Sequence, residues 1–186
     1  MRPSSRTKIL DAAFRLAGRE GGSVDITFDA TAQEAGVTKG GVQYHFHTRD
    51  ELVLAVCEYV AERVEEAMVT WLGKPFEETT AQERIHAYIA VVAAGRISRA
   101  DLAVFVESLA NPDLGAPWEA VMGRWLKVDD VVDQDLRVRL LSARLAADGL
   151  WIAEATGVLV PGPDRDALIA QLHSLINPAF NGKAAL

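Results

Sequence analysis

The run Thr38-Lys39-Gly40-Gly41-Val42-Gln43-Tyr44-His45-Phe46 gathers side chains suited to gripping a nucleic acid. Lys39, Tyr44 and His45, with Arg49 just beyond, are phosphate donors, and Thr38 with the helix N-terminus adds a hydroxyl and backbone N–H groups. Gln43 both donates and accepts, which matches an adenine edge in the major groove. Consecutive glycines at 40 and 41 each lose about 1 kcal/mol of helix propensity. That loss makes sense where a sugar-phosphate strand must come close to the backbone. Arg2, Arg6 and Lys8 form a basic arm placed to reach further phosphates or the minor groove.

These residues are useful only if a short helix is held outward at a fixed angle. Ser5 to about Arg19 reads as a first helix with Ile9, Leu10, Ala13, Phe14, Leu16 and Ala17 on its apolar side, stopped by Gly21-Gly22. Thr27 caps a second helix ending at Ala35 and joins the candidate DNA-contacting set. Thr38 caps a third, running to about Tyr44, whose buried side is Val42 and Phe46. The spacing Ala32-x3-Gly36-Val37-x4-Val42 fits a helix-turn-helix. A small residue lets the helices approach, a glycine takes positive φ at the turn, and two valines pack the second helix back. A plain helical hairpin shares that spacing; the polar face of 38–45 is what favours a major-groove reader.

The 186 residues include 19 Lys+Arg and 26 Asp+Glu, a net charge of −7. Residues 1–50 hold seven basic and six acidic side chains, so any nucleic-acid role is confined to that end. With 49% apolar residues and one cysteine, the composition excludes a disordered chain and a disulfide framework and points to a reducing interior. No secretory signal and no membrane-length apolar run is found, so the expected setting is cytoplasmic with no membrane partner. Strand patterns and internal repeats are missing as well.

Catalysis finds little footing. His45-x-His47 lacks a third ligand at useful spacing, His86 and His173 stand isolated, and Cys57 reads as a buried structural thiol. Gly18-x-x-Gly21-Gly22 lacks the Lys-Ser/Thr of a phosphate loop. The expectation is no enzyme, no metal and no cofactor.

Taken together, Ile9-Leu10-x-Ala12-Ala13, Ala35-Gly36-Val37-Thr38-Lys39-Gly40, Tyr44-His45-Phe46 and Asp50-Glu51-Leu52 resemble the DNA-binding domain of the TetR family of transcriptional repressors over about residues 5–55. The resemblance implies an all-α, dimeric protein. It assigns residues 1–50 to a three-helix helix-turn-helix domain and residues 51–186 to a helical ligand-binding and dimerisation domain. Two positions depart from the family pattern. Thr31 replaces a large aliphatic residue, and its hydroxyl is expected to bond back to the preceding turn. Gln43 stands where an aromatic is common. Asn111-Pro112-Asp113, the Trp118 helix and Leu145–Leu150 look similar to a multidrug-responsive branch.

Beyond residue 50, helical stripes continue: about Thr48 to Leu72, near 80–95, Ser98–Leu109, a segment through Trp118 and Trp125, near 133–157, and near 164–177. One short recognition helix neutralises few phosphates, so a homodimer on a palindromic operator is expected. Its surface would be the last two helices, because Leu136, Leu140, Leu141, Ala143, Leu145, Ala147, Leu150 and Ile152 cover more of one helix than a single core needs. Trp71, Tyr88, Phe105, Trp118, Met122, Trp125, Asp148 and Trp151 are the candidate ligand-binding residues, although ordinary core accounts for such aromatics too. Glu107, Asp148 and Glu154 lie on or beside apolar faces and extend the suitable inducer from lipophilic to cationic; Asp148 has an alternative partner in Arg144. The expected function is a ligand-responsive repressor released from its operator by a small molecule. An activator of the same fold and a helical interaction module are the alternatives.

Overall fold

In the computed structural model, residues 4–19, 26–109 and 111–177 are described. Arg2 and the Gly21-Gly22 stop lie outside them. The described residues form α-helices with two short 3-10 turns and no strand: α1 (Ser5–Ala17), α2 (Phe28–Ala35), α3 (Lys39–His45), α4 (Arg49–Leu72), α5 (Ala81–Ala93), α6 (Arg99–Ser108), α7 (Pro112–Trp125), α8 (Gln134–Thr156) and α9 (Arg165–Ile176). The all-α expectation holds.

Helix starts follow local chemistry. The hydroxyls of Ser4, Thr27, Thr38 and Thr80 each accept a backbone N–H in the first turn of the helix that follows. Thr48 does the same for α4, accepting from Glu51 N–H at 3.1 Å. Thr80 and Glu83 complete a reciprocal capping box. α7 begins earlier than its Trp118 stripe suggests. Asn111 accepts from Asp113 N–H at 3.1 Å, Pro112 opens the helix, where a missing N–H costs nothing, and Pro117 lies within it.

The chain clusters into two compact units: residues 1–62 with 99–120, and residues 63–98 with 121–186. In the first, α1 packs on α2 and α6, and α2 on α3. Ile9, Leu10, Ala13, Val42, Phe46, Leu52, Val53, Val56 and Val104 are buried in its core. A Cβ on Gly18 would sit 3.0 Å from Ala100 Cβ, so glycine permits the close approach of the α1 end to α6. In the second, α5 packs on α8 and α9, and α8 on α9. Arg84, buried at 7% exposure, donates to the carbonyls of Thr79, Trp125 and Lys127 at 3.0–3.2 Å and ties α5 to the chain leaving α7. Arg165 joins Glu154 of α8 and donates to the Ala93 carbonyl at 2.7 Å, anchoring the start of α9.

Candidate nucleic-acid interface and ligand cleft

The α2–α3 corner is built as its spacing requires. Gly36 has φ +66° and ψ 35°, a left-handed conformation that glycine adopts without Cβ strain. Its N–H bonds the Gln33 carbonyl, and Val37 N–H bonds the Ala32 carbonyl at 3.0 Å, closing α2. Ala32 and Val42 are buried, so α3 is fixed from below.

The outer face of α3 is left open. Tyr44 is 81% exposed, and Gln43, Lys39 and Gly40 are exposed beside it. Around Gly40 the nearest atom to an added Cβ is Thr38 Oγ1 at 4.0 Å, so its backbone is open to an incoming strand. Gly41 is tighter, with Thr38 Oγ1 at 3.4 Å. Thr38 Oγ1 accepts from Gly41 N–H at 3.0 Å, which leaves the hydroxyl proton for another acceptor. His45 is half-buried and meets Tyr44 edge-on, ring centroids 5.2 Å apart.

Other candidates have internal partners. Lys39 pairs with Asp29 at 2.8 Å, an exposed contact of small worth that a phosphate can replace. Arg6 lies 5.4 Å from the centre of the Phe46 ring. Thr27 caps α2, its Oγ1 accepting from Ala30 N–H at 3.2 Å. Arg49 commits its guanidinium to the Ile26 carbonyl at 3.1 Å and to Glu107 at 2.7 Å, which makes it a strut between α4 and α6. Thr31 corrects the sequence expectation: its hydroxyl is buried without a hydrogen bond.

The eight candidate ligand residues are divided between the units, Phe105 and Trp118 in the first and the other six in the second. Phe105 and Trp118 meet at 5.7 Å between ring centres, and Trp118 packs against the core of the first unit. In the second unit Trp125 is fully buried, its indole N–H donating to Glu65 at 2.9 Å, with Phe76 edge-on at 5.2 Å. Met122 is buried, and Trp151 is buried with its N–H on the Ser98 carbonyl at 3.3 Å. Tyr88 donates to Asp148 at 2.7 Å, and Asp148 also binds Arg144 at 3.1 Å. Burial, then the Asp148 charge, pushes the Tyr88 hydroxyl well above its usual range, so it stays a donor. Trp71 lines an open cleft of about 300 Å³, shared with Arg63, Glu66, Thr70, Val91 and Arg96.

Sequence reasoning missed Arg63, Glu66 and Arg96; the signal available was Arg63, Glu66 and Thr70 at helical spacing on the face that ends in Trp71. It also took His86 and His173 as isolated. They stack 5.0 Å apart with Nδ1 atoms 2.7 Å from each other, joining α5 to α9. Burial, then the neighbouring His173, holds His86 down at about 4, and burial lowers His173 too. Burial raises the Cys57 thiol to about 11, as an inert core thiol requires. Among the described residues no three His, Cys, Asp or Glu side chains are grouped to hold a metal, and no helix is long and apolar enough to cross a membrane.

Residues 9–56 match the family described as bacterial regulatory proteins, tetR family, and residues 82–177 match the tetracyclin repressor-like C-terminal domain. The chain belongs to the TetR family. Its curated TetR relatives include the HTH-type transcriptional regulator BetI of Brucella suis, 27% identical over 98% of this chain and 95% of that protein. BetI of Brucella anthropi is 34% identical over 91 residues, 49% of this chain and 45% of that protein. Solved structures share the TetR fold. A transcriptional regulator from Saccharomonospora viridis in complex with choline has a TM-score of 0.69 and 23% identity, covering 92% of this chain and 95% of that one. The multidrug binding protein EbrR complexed with ethidium has a TM-score of 0.59 and 22% identity, covering 95% and 100%. The chain is thus a TetR-family transcriptional regulator whose α2–α3 corner is the helix-turn-helix.

Proposed function

We propose that this regulator is a cytoplasmic homodimer that represses by binding a palindromic operator and leaves it when a small lipophilic molecule occupies the C-terminal helices. Residues 1–50 read the DNA, and 51–186 carry the ligand and the dimer surface. The observation that carries this reading is the α3 face, where an aromatic as exposed as Tyr44 contributes nothing to the core and stands beside Gln43 and Lys39. Gln43 reads a base edge, while Thr38, Lys39, Tyr44 and His45 hold phosphates and Gly40 admits the strand.

The dimer reading rests on α8, which has two apolar stripes. Leu140, Ala143, Ala147 and Leu150 are buried against the helix's own unit. Val138, Leu141, Leu145 and Ile152 lie on other faces and are 37–58% exposed. Gly149 joins that second stripe, and nothing lies within 4 Å of where its Cβ would be, so another helix can come close. Such a stripe on a regulator fits a second copy of the chain, which sets two α3 helices about 34–36 Å apart, one turn of duplex.

Release is a shift of population. α4 contributes residues to both units, so a ligand that favours one setting of its second half changes the separation of the two reading helices. The ligands of the two solved relatives, choline and ethidium, are organic cations. In this chain the acids expected to favour a cation are each matched by an arginine: Glu107 by Arg49, Asp148 by Arg144 and Glu154 by Arg165.

The test is a mobility-shift titration on a palindrome from DNA flanking the coding sequence, across a salt series. Binding that weakens steeply with salt and is lost in Gln43→Ala/Tyr44→Ala supports the reading. Binding unaffected by that double substitution removes α3 as the reader.

A further inference from the structure

We propose that Glu107 is a built-in competitor of the DNA backbone for Arg49, so that α6 withholds one phosphate contact from the helix-turn-helix. The sequence places Arg49 among the phosphate donors, just past the end of α3. The fold gives its guanidinium to two other acceptors. Nε donates to the Ile26 carbonyl at 3.1 Å, and Nη2 donates to Glu107 Oε1 at 2.7 Å. Those two nitrogens form one edge of the planar fork, the edge that a carboxylate or phosphate grips with paired hydrogen bonds. Glu107 thus stands where a phosphate oxygen would bind.

The contact is built to be exchanged. Arg49 keeps 43% of its side chain exposed and Glu107 25%, so an incoming strand can reach the pair. An ion pair this wet is weak, and an operator phosphate can replace the carboxylate. Local helix chemistry does not account for the carboxylate either. Glu107 lies in the last turn of α6, where the helix dipole disfavours negative charge and no basic residue of that turn offsets it. Its cation is Arg49.

Ile26, Arg49 and Glu107 all belong to the first unit, and the chain enters α6 directly from the second unit at residue 99. An effector that fixes α6 with Glu107 on Arg49 therefore lowers operator affinity, and by linkage the operator disfavours that effector. This regulatory consequence rests on the proposed function. The competition for Arg49 does not, because a backbone contact needs no particular base sequence.

The test is fluorescence anisotropy of the full-length protein on two labelled duplexes across a salt series. One duplex comes from DNA flanking the coding sequence and the other is scrambled. Glu107→Gln should bind both at least about threefold more tightly at low salt, since Arg49 becomes available to a phosphate. With one contact added in each of two protomers, the log–log salt slope should steepen by about 1.8, so binding falls about tenfold further between about 50 and 200 mM salt. Merely weakening the strut would lower affinity rather than raise it. Glu107→Asp keeps the charge but falls a methylene short of the guanidinium; it should show a gain of the same sign, and it serves as the test if the Gln variant misfolds. In an Arg49→Gln background, Glu107→Gln should give no gain. A gain that persists there is a general effect of removing negative charge and overturns the proposal. Unchanged or weaker binding by the Glu107 variants, or no binding of either duplex by any form, overturns it as well. Loss of the preference for the flanking duplex in Gln43→Ala/Tyr44→Ala reports on the α3 reading, while the gain on the scrambled duplex reports on Arg49, so either can fail without the other.

Discussion

Lowering the pH from 7.5 to 5.0 should destabilise this protein by about 2 kcal/mol through His86 alone. An unfolded histidine titrates near 6.5, whereas burial and the adjacent His173 hold folded His86 at about 4. Between those values the unfolded chain binds a proton that the folded chain refuses, so stability is full above about 6.5 and falls as pH drops toward 4. At pH 5.0 the ratio of binding polynomials is roughly 30, which corresponds to about 2 kcal/mol. His173, also lowered by burial, shifts stability in the same direction. The carboxylates held below their usual value, Glu34, Glu51 and Glu83, act mainly below about 4.5, so pH 5.0 separates them from the histidines. The assay is urea unfolding at both pH values and one fixed protein concentration, because a dimer's stability depends on concentration. His86→Gln should reduce the acid-induced loss by about 2 kcal/mol. An unchanged loss in that variant would refute the idea that the stacked pair excludes protons.

Thr31→Val should raise stability by about 1 kcal/mol in urea, because it removes a buried hydroxyl with no partner at nearly constant shape. A loss of stability would mean the hydroxyl has a partner in solution. Gly36→Ala should destabilise by about 1–2 kcal/mol, since an added Cβ meets no neighbour but strains the left-handed backbone. Leu145→Asp should give a species sedimenting as the 20.2 kDa chain while keeping its helical circular dichroism. Retained self-association would move the dimer surface off α8.

What could be read from the sequence was local. The turn at Gly36, the threonine caps at 27, 38 and 48, and the open polar face of α3 all depend on residues within a few positions of one another, and each helix except α7 was placed within a few residues of its ends. What could not be read depends on partners far along the chain. His86 and His173 are 87 residues apart in sequence. Arg49, expected among the phosphate donors, has an ion-pair partner in Glu107, 58 residues away. The aromatic set could not be sorted from the sequence for a related reason. Tryptophans serve core and cavity equally well, and only the fold shows Trp125 sealed by Phe76 and Glu65 while Trp71 faces an opening. Arg63 and Arg96 gave no periodic apolar signal, so the cleft they line with Trp71 was invisible until α4 and α5 were side by side.

The central claim, that two copies present α3 to successive turns of one duplex face, is tested most directly by hydroxyl-radical footprinting of the purified protein on its own upstream DNA. The account predicts two protected half-sites centred about 10 base pairs apart, or a whole-turn multiple, related by a dyad, and lost together in Gln43→Ala/Tyr44→Ala. A single protected site, or protection that persists in the double variant, would contradict it.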